Sequence, residues 1–96
     1  MLMQTFTVYI VYTAQDKKFG WDPKVQLDPP QDLPPEEWHA EEFLLPPDCV
    51  MGQDSDGNTS VFRRNRYVPI IMNRQGEICM IDSTVDTFAF IPLERA

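Results

Sequence analysis

The chain has 96 residues, 43 % of them hydrophobic, and a net charge of −7. This length holds one hydrophobic core and no second one, and the six phenylalanines and two tryptophans exclude a disordered acidic tail. The charge argues against direct binding to nucleic acid or to anionic lipid, since it repels both. We therefore expect a single domain over residues 1–96.

The first predicted element is a strand over residues 5–13. Phe6, Val8 and Ile10 alternate with their neighbours, and a period of two among β-branched and aromatic side chains is typical of a half-buried strand. The stretch is too short and too polar for a membrane span, and no basic leader precedes it, so we expect a cytoplasmic protein. Residues 14–20, which end in a glycine, are predicted to form the following turn.

Residues 21–57 form a long acidic and proline-rich excursion. Ten carboxylates and one lysine give this segment a charge of −9, and seven of the nine prolines lie in it. Proline pairs interrupt regular structure, so most of the segment is expected to be extended and semi-rigid. Connections of this length are usually functional or disordered, and the embedded aromatic residues favour a segment that packs on the domain.

One short helix is predicted within the excursion, over residues 34–45. Two prolines and two glutamates at its start suit a first helical turn, where missing N–H groups and negative charge are tolerated. Trp38, Phe43 and Leu45 would form a short apolar stripe, and Pro46 would end the helix.

The segment 60–93 is predicted to form antiparallel strands. They cover residues 61–63, 67–72, 77–82 and 87–91. Gly76 is placed to close a hairpin turn in a left-handed conformation, and residues 82–84 form the next turn. Pro69 indicates an edge strand or a bulge, because it cannot donate to a ladder. Together the elements predict an α+β fold: a small antiparallel sheet of four to five strands with one short helix and a long acidic Pro-rich excursion.

The excursion is the leading candidate for function, as an acidic surface that carries aromatic residues. Carboxylates one helical turn apart repel each other, and a partner with Lys or Arg would relieve that repulsion and be steered to the site. The same charge also fits a solvated face that maintains solubility, or a surface that imitates nucleic acid. Its candidate partner-binding residues are Trp21, Glu36, Glu37, Trp38, Glu41, Glu42 and Phe43.

Arg63, Arg64 and Arg66 form the one basic cluster, interleaved with aromatic residues. They could pair with the acidic excursion, form part of a mixed-charge interface, or bind single-stranded nucleic acid. The net charge of −7 opposes the last alternative. We include all three arginines among the candidate partner-binding residues.

No combination of residues specifies a reaction, a metal or a cofactor. Residues 54–60 resemble the opening of a calcium loop, but the glycine stands at the fourth position and Asn65 at the twelfth, so we interpret them as a polar turn. His39 and Cys49 would be the candidates for a nucleophilic pair, yet nothing near Cys49 predicts a lowered pKa. Cys49 and Cys79 are expected to be reduced, and with one histidine they lack the short ligand spacing of a zinc site.

The sequence therefore predicts a small acidic, non-enzymatic protein that binds a protein with a basic surface and inhibits or neutralises it. Small stoichiometric binders of this character include inhibitors encoded by phages and mobile elements. One alternative is a structural or accessory subunit of a larger assembly, whose edge strand near Pro69 completes a neighbour's sheet. Another is a small enzyme that uses Cys49 or His39. Self-association is not decided by the sequence.

Overall fold

The computed structural model describes residues 4–83 and 87–96, which form mainly β-structure. In chain order the elements are β1 (Thr5–Val11), α1 (Ala14–Phe19), β2 (Lys24–Gln26), a 3₁₀ turn (Pro35–Glu37), β3 (Trp38–Leu44), β4 (Cys49–Gln53), β5 (Thr59–Arg63), β6 (Arg66–Val68), β7 (Ile70–Met72), β8 (Ile78–Ser83) and β9 (Phe88–Pro92). The strands form three antiparallel sheets: sheet A in the order β2-β1-β3, sheet B in the order β4-β5-β6 and sheet C in the order β7-β8-β9. The predicted α+β fold with one sheet of four to five strands is therefore wrong.

Sheet A is built around β1, the strand that the alternating pattern predicted. Phe6, Val8 and Ile10 are buried, as expected for the core face of a half-exposed strand. The strand ends at Val11, two residues earlier than predicted, because Thr13 caps the next element. The prediction of a strand here is confirmed.

The helix predicted over residues 34–45 is wrong. Only Pro35–Glu37 forms a 3₁₀ turn, and Trp38–Leu44 is strand β3, which pairs with the whole of β1. This register sets Phe43 opposite Phe6, with ring centroids 6.5 Å apart. Pairing with β1 both satisfies the backbone and buries Phe43, and this tertiary contact outweighs the weak helix preference of the segment.

A short helix, α1, stands where a turn was predicted over residues 14–20. Thr13 Oγ1 accepts a hydrogen bond from the Asp16 N–H at 3.1 Å, and Asp16 Oδ2 accepts one from the Thr13 N–H at 2.8 Å. Gly20 ends the helix with φ 69°, a left-handed conformation that glycine adopts without strain. The reciprocal pair is a capping box with Asp in place of Glu, a local signal that the sequence carried.

Sheet B includes β4, which the sequence analysis had left inside the excursion. The β4–β5 connection is a polar turn, as interpreted, in which Asp54 Oδ1 accepts hydrogen bonds from the backbone N–H groups of Asp56 and Asn58. Between β5 and β6 the two turn residues, Arg64 and Asn65, have φ values of 52° and 63°. Positive φ at both positions is what a tight two-residue hairpin turn requires.

The strand predicted over residues 67–72 is divided at Pro69. The chain leaves sheet B there and enters sheet C, and the carbonyl of Pro69 accepts a hydrogen bond from the Ile81 N–H at 2.9 Å. Gly76 closes the next hairpin with φ 81°, which confirms the predicted left-handed position. Of the turn predicted over residues 82–84, Asp82 and Ser83 belong to β8, and Thr84 lies outside the described residues.

All three sheets contribute to one core. Its buried members are Phe6, Val8, Ile10, Phe43, Leu45, Cys49, Val61, Val68, Ile78 and Met80. The proline-rich stretch between β2 and the 3₁₀ turn is attached to sheet B by Asp28, whose carboxylate accepts hydrogen bonds from the Thr59 N–H at 2.8 Å and the Thr59 hydroxyl at 2.5 Å. The excursion therefore packs on the domain and supplies part of its sheets.

The described residues contain no helix long and apolar enough to cross a membrane.

The Asp28–Thr59 contact predicts a specific loss of stability in acid. The Thr59 hydroxyl and backbone N–H hold the pKa of Asp28 below its ordinary value of 3.8. The contribution of this contact to the free energy of unfolding is therefore complete above pH 3.8, and it is lost as the pH falls through the lower pKa of the folded state. Asp28→Asn should therefore be less stable than wild type near neutral pH, and the difference should shrink towards about pH 2. Urea unfolding across the pH range measures this, with exposed Asp22→Asn as the control. A difference that stays constant from neutral to acid pH would contradict the assignment.

Candidate functional site

Four of the predicted site residues form an acidic strip, defined as Glu36, Glu37, Glu41 and Glu42. The 3₁₀ turn holds the first two and β3 holds the others. Side chains alternate along a strand, so Glu41 shares a face with Phe43 and Glu42 lies on the opposite face. Glu37 and Glu41 are therefore roughly 13 Å apart along the chain, instead of the roughly 6 Å expected on a helix. The strip spans both faces of an outer strand of sheet A.

Only one member of the acidic strip has an ion-pair partner among residues 4–83 and 87–96. Arg95 Nη1 lies 3.0 Å from Glu41 Oε1, and His39 Nε2 lies 3.7 Å from the same oxygen. The carboxylates of Glu36, Glu37 and Glu42 form no ion pair within this described part of the chain. The strip thus keeps three carboxylates without an ion pair in the described chain, although Lys17 lines the same cavity as Glu36 and Glu37.

Arg63 joins sheets B and C through two carboxylates. Its Nε lies 2.6 Å from Asp48 Oδ2, a close ion pair that is not aligned as a hydrogen bond, and its Nη1 donates to Asp82 Oδ2 at 2.5 Å. Desolvation alone would raise the pKa of Asp48, but its own backbone N–H and the Arg63 charge hold that pKa below its ordinary value. Asp48 belongs to the acidic excursion, so Arg63 forms its ion pairs within the protein and is not free to pair with a partner.

Arg64 lies in the β5–β6 turn, and Arg66 stands opposite Arg63 at the first position of β6. Arg64 and Arg66 are both exposed at the tip of the β5–β6 hairpin, and neither forms an ion pair with a residue that the structure describes. The arginine cluster therefore divides into one residue that holds two sheets together and two that face solvent.

The three predicted aromatic residues have three different environments. Trp21 is 48 % exposed and stacks on Phe19, with ring centroids 5.1 Å apart. Trp38 is partly buried against Tyr9, and its Nε1 has no hydrogen-bond partner among the residues described. Phe43 is 2 % exposed and belongs to the core, so its ring is not available to a partner.

Trp21 lies beside lysines and outside the acidic strip. Lys18 Nζ is 5.8 Å from the centre of the Phe19 ring that stacks on Trp21. The Trp21 N–H donates to the Asp16 carbonyl at 2.9 Å, and the Lys24 charge is close enough to Asp16 to lower its pKa, after the larger effect of the Thr13 backbone N–H. Trp21 is therefore part of a separate aromatic patch with basic neighbours.

A second exposed aromatic pair was missed by the sequence analysis. Phe88 and Phe90 are 75 % and 59 % exposed and lie on the same, outward face of β9. Phe90 stands opposite Ile81 in the sheet, which extends this apolar face onto β8. The predicted strand over residues 87–91 is apolar on both of its faces, and that pattern was the available signal.

Cys49 and His39 are not brought together. Cys49 is buried in the core, with its Sγ 3.7 Å from Met80 Sδ, whereas His39 is exposed on sheet A. Burial, followed by the neighbouring Asp48 charge, raises the pKa of the Cys49 thiol, and burial raises that of Cys79 as well. Both cysteines are free thiols. Within the described ranges, no group of three or more His, Cys, Asp or Glu side chains is arranged to hold a metal ion.

Comparisons with protein-family models, curated proteins and solved structures give no match to this chain. Function is therefore inferred from the surfaces described above, of which the acidic strip has the clearest chemical character. It is charged, held on regular structure, and largely without internal partners.

The burial of Phe43 predicts that it contributes to stability and makes no contact with a partner. Phe43→Ala should lower the free energy of unfolding by about 3–5 kcal/mol, because it leaves a cavity among buried side chains. The same substitution at exposed Phe88 should change it by less than about 0.5 kcal/mol. Urea denaturation of both variants measures this, and equal losses would contradict the assignment of Phe43 to the core.

Proposed function

We propose that this chain is a small non-enzymatic protein that binds a protein target through its acidic strip. The supporting observation is that Glu36, Glu37 and Glu42 form no ion pair with a described residue. The nearest arginine to the strip, Arg95, is paired with Glu41, and Arg63 is held between Asp48 and Asp82. A partner with a basic surface would supply the missing cations.

The backbone that carries the acidic strip supports this use. Glu41 and Glu42 belong to a strand that pairs with β1 along its length. The 3₁₀ turn is held at the end of β1 by a hydrogen bond from the N–H of Tyr12, the residue after β1, to the Glu37 carbonyl at 2.8 Å. A surface that is already ordered loses little conformational entropy on binding. Its fixed charges steer a basic partner and raise the association rate, an effect that salt screens.

Inhibition or neutralisation of the target follows when the covered basic surface is one that the target uses. Basic protein surfaces commonly bind nucleic acid, and an acidic protein docked there competes with phosphate groups. This mode of action is that of small stoichiometric inhibitors encoded by phages and mobile elements. Mimicry of nucleic acid is the narrower form of the same proposal.

The proposal predicts that removal of three charges slows association. Glu36→Gln, Glu37→Gln and Glu42→Gln in one protein should lower the association rate with the target by about tenfold and flatten its dependence on salt. Glu41 is left intact because Arg95 already pairs with it. The matched control carries Asp22→Asn, Asp32→Asn and Asp56→Asn, which change the net charge equally at exposed positions elsewhere.

The target for this measurement is obtained by capture from a host extract on immobilised wild-type protein. Each protein captured by the wild type is taken forward to stopped-flow kinetics with the wild type and with both triple variants. Association rates that fall equally in both variants would show an effect of net charge alone. Rates that fall in neither would overturn the proposal.

A second candidate function, a subunit of a larger assembly, is favoured by Phe88 and Phe90. Solvent-exposed apolar surface of this kind commonly marks a protein interface. If this face joins copies of the chain, sedimentation velocity should show a species larger than a monomer as concentration rises, and Phe88→Ser with Phe90→Ser should abolish it. If the wild-type protein stays monomeric up to about 1 mM, the Kd for self-association is weaker than that concentration, and self-assembly through this face is rejected.

A further inference from the structure

The outer edge of β3 is only partly covered. One end of it pairs with residues 94–96: the Leu44 N–H donates to the Glu94 carbonyl at 2.8 Å, and the Ala96 N–H donates to the Glu42 carbonyl at 3.1 Å. These two bonds begin an antiparallel ladder on the side of β3 that faces away from β1. The ladder stops at Glu42.

Before Glu42, back towards the start of β3 at Trp38, the outward backbone groups of the strand have no partner in the described chain. The Leu45 N–H donates to the Gln4 carbonyl, and the Glu37 carbonyl accepts from the Tyr12 N–H, so odd-numbered residues of this strand direct their backbone groups towards β1. Trp38 and Ala40 consequently direct theirs outward. No hydrogen bond from any residue within 4–83 or 87–96 reaches the N–H or carbonyl of Ala40 on that side.

This open edge has only one of the usual protections against strand addition. Natural edges are protected by charged side chains, by proline or by a bulge, and residues 38–41 contain one charged side chain, Glu41, which is already paired with Arg95. The flanking charges are negative, from Glu37, Glu41 and Glu42. Two copies paired through this edge would bring like charges together, which is destabilising, whereas a basic segment would form opposite-charge pairs across the strands.

We propose that the outer edge of β3 at residues 38–41 binds an extended basic segment of the target as an added strand. The segment continues the ladder that residues 94–96 begin, with its backbone bonded to Trp38 and Ala40 and its Lys or Arg side chains against the acidic strip. Ala40 is exposed and small, so it leaves room between Trp38 and Glu42 for a long side chain. This inference rests on the proposed function and specifies how the target is bound.

The test uses a blocked peptide of alternating Lys and Val, titrated into the full chain at low salt. Ala40→Pro removes the outward N–H without removing a bond to β1, so an edge strand tolerates it, and Ala40→Val is the matched control that keeps the N–H. The peptide should bind wild type and Ala40→Val equally, and Ala40→Pro at least about tenfold more weakly. Amide hydrogen exchange of Ala40 should slow when the peptide is bound.

A second measurement does not depend on the fold of a variant. The same peptide, N-methylated along its centre, keeps its charge but cannot form a ladder, and it should bind wild type at least about tenfold more weakly. Alternating Glu and Val should not bind. Equal binding of the methylated and unmethylated Lys-Val peptides, or no binding of the Lys-Val peptide at all, would overturn strand addition. If the Glu36, Glu37 and Glu42 variant still loses the captured target in that case, the proposed function stands and only the mode of binding fails.

Discussion

The pairing of β3 with β1 is the constraint on which the candidate site depends. It places Phe43 opposite Phe6 inside the core, and the strand period of two then decides the direction of every other residue in β3. Odd-numbered residues bond to β1, so Ala40 and Glu42 direct their backbone groups outward. A slip of one residue would expose Phe43 and turn the open edge towards β1, and the burial of Phe43 opposes that slip. The core contact therefore also positions the proposed binding edge.

Local patterns in the sequence predicted some elements and not others, for a physical reason. The alternation in β1 and the Gly76 turn depend on neighbouring residues, and both were predicted correctly. The segment Trp38–Leu44 fits a helix or a strand equally well by its own pattern, and the decision comes from β1, which is distant in sequence. The intrinsic propensity of one segment does not include the energy of pairing with a strand that is distant in sequence. The capping box at Thr13 and Asp16 was local and could have been found.

For the candidate site, the sequence indicated which residues carry charge but not which charges are already paired. Arg63 forms ion pairs with Asp48 and Asp82, from the two sides of β5 in sequence, and only the packing of sheet B against sheet C brings these three together. By its side chain alone, Phe43 could be either an interface anchor or a core residue. Its position opposite Phe6 in the sheet assigns it to the core. Glu36 and Glu42 are exposed, as expected for carboxylates without a partner, and the half-buried Glu41 has Arg95 as its partner.

The strand geometry also changes what the acidic strip contributes to binding. On a helix, Glu37 and Glu41 would repel at roughly 6 Å, and relief of that repulsion would be part of the binding energy. Along a strand, four residues separate their Cα atoms by roughly 13 Å, which exceeds the Debye length of about 8 Å at physiological salt. Arg95 also pairs with Glu41, so the free protein holds this pair of charges at little cost. Charge then supplies steering and the choice of a basic partner over a second copy, and backbone hydrogen bonds along the open edge supply the lifetime of the complex. The two contributions separate experimentally, because salt alters the association rate while loss of the backbone bonds alters the dissociation rate.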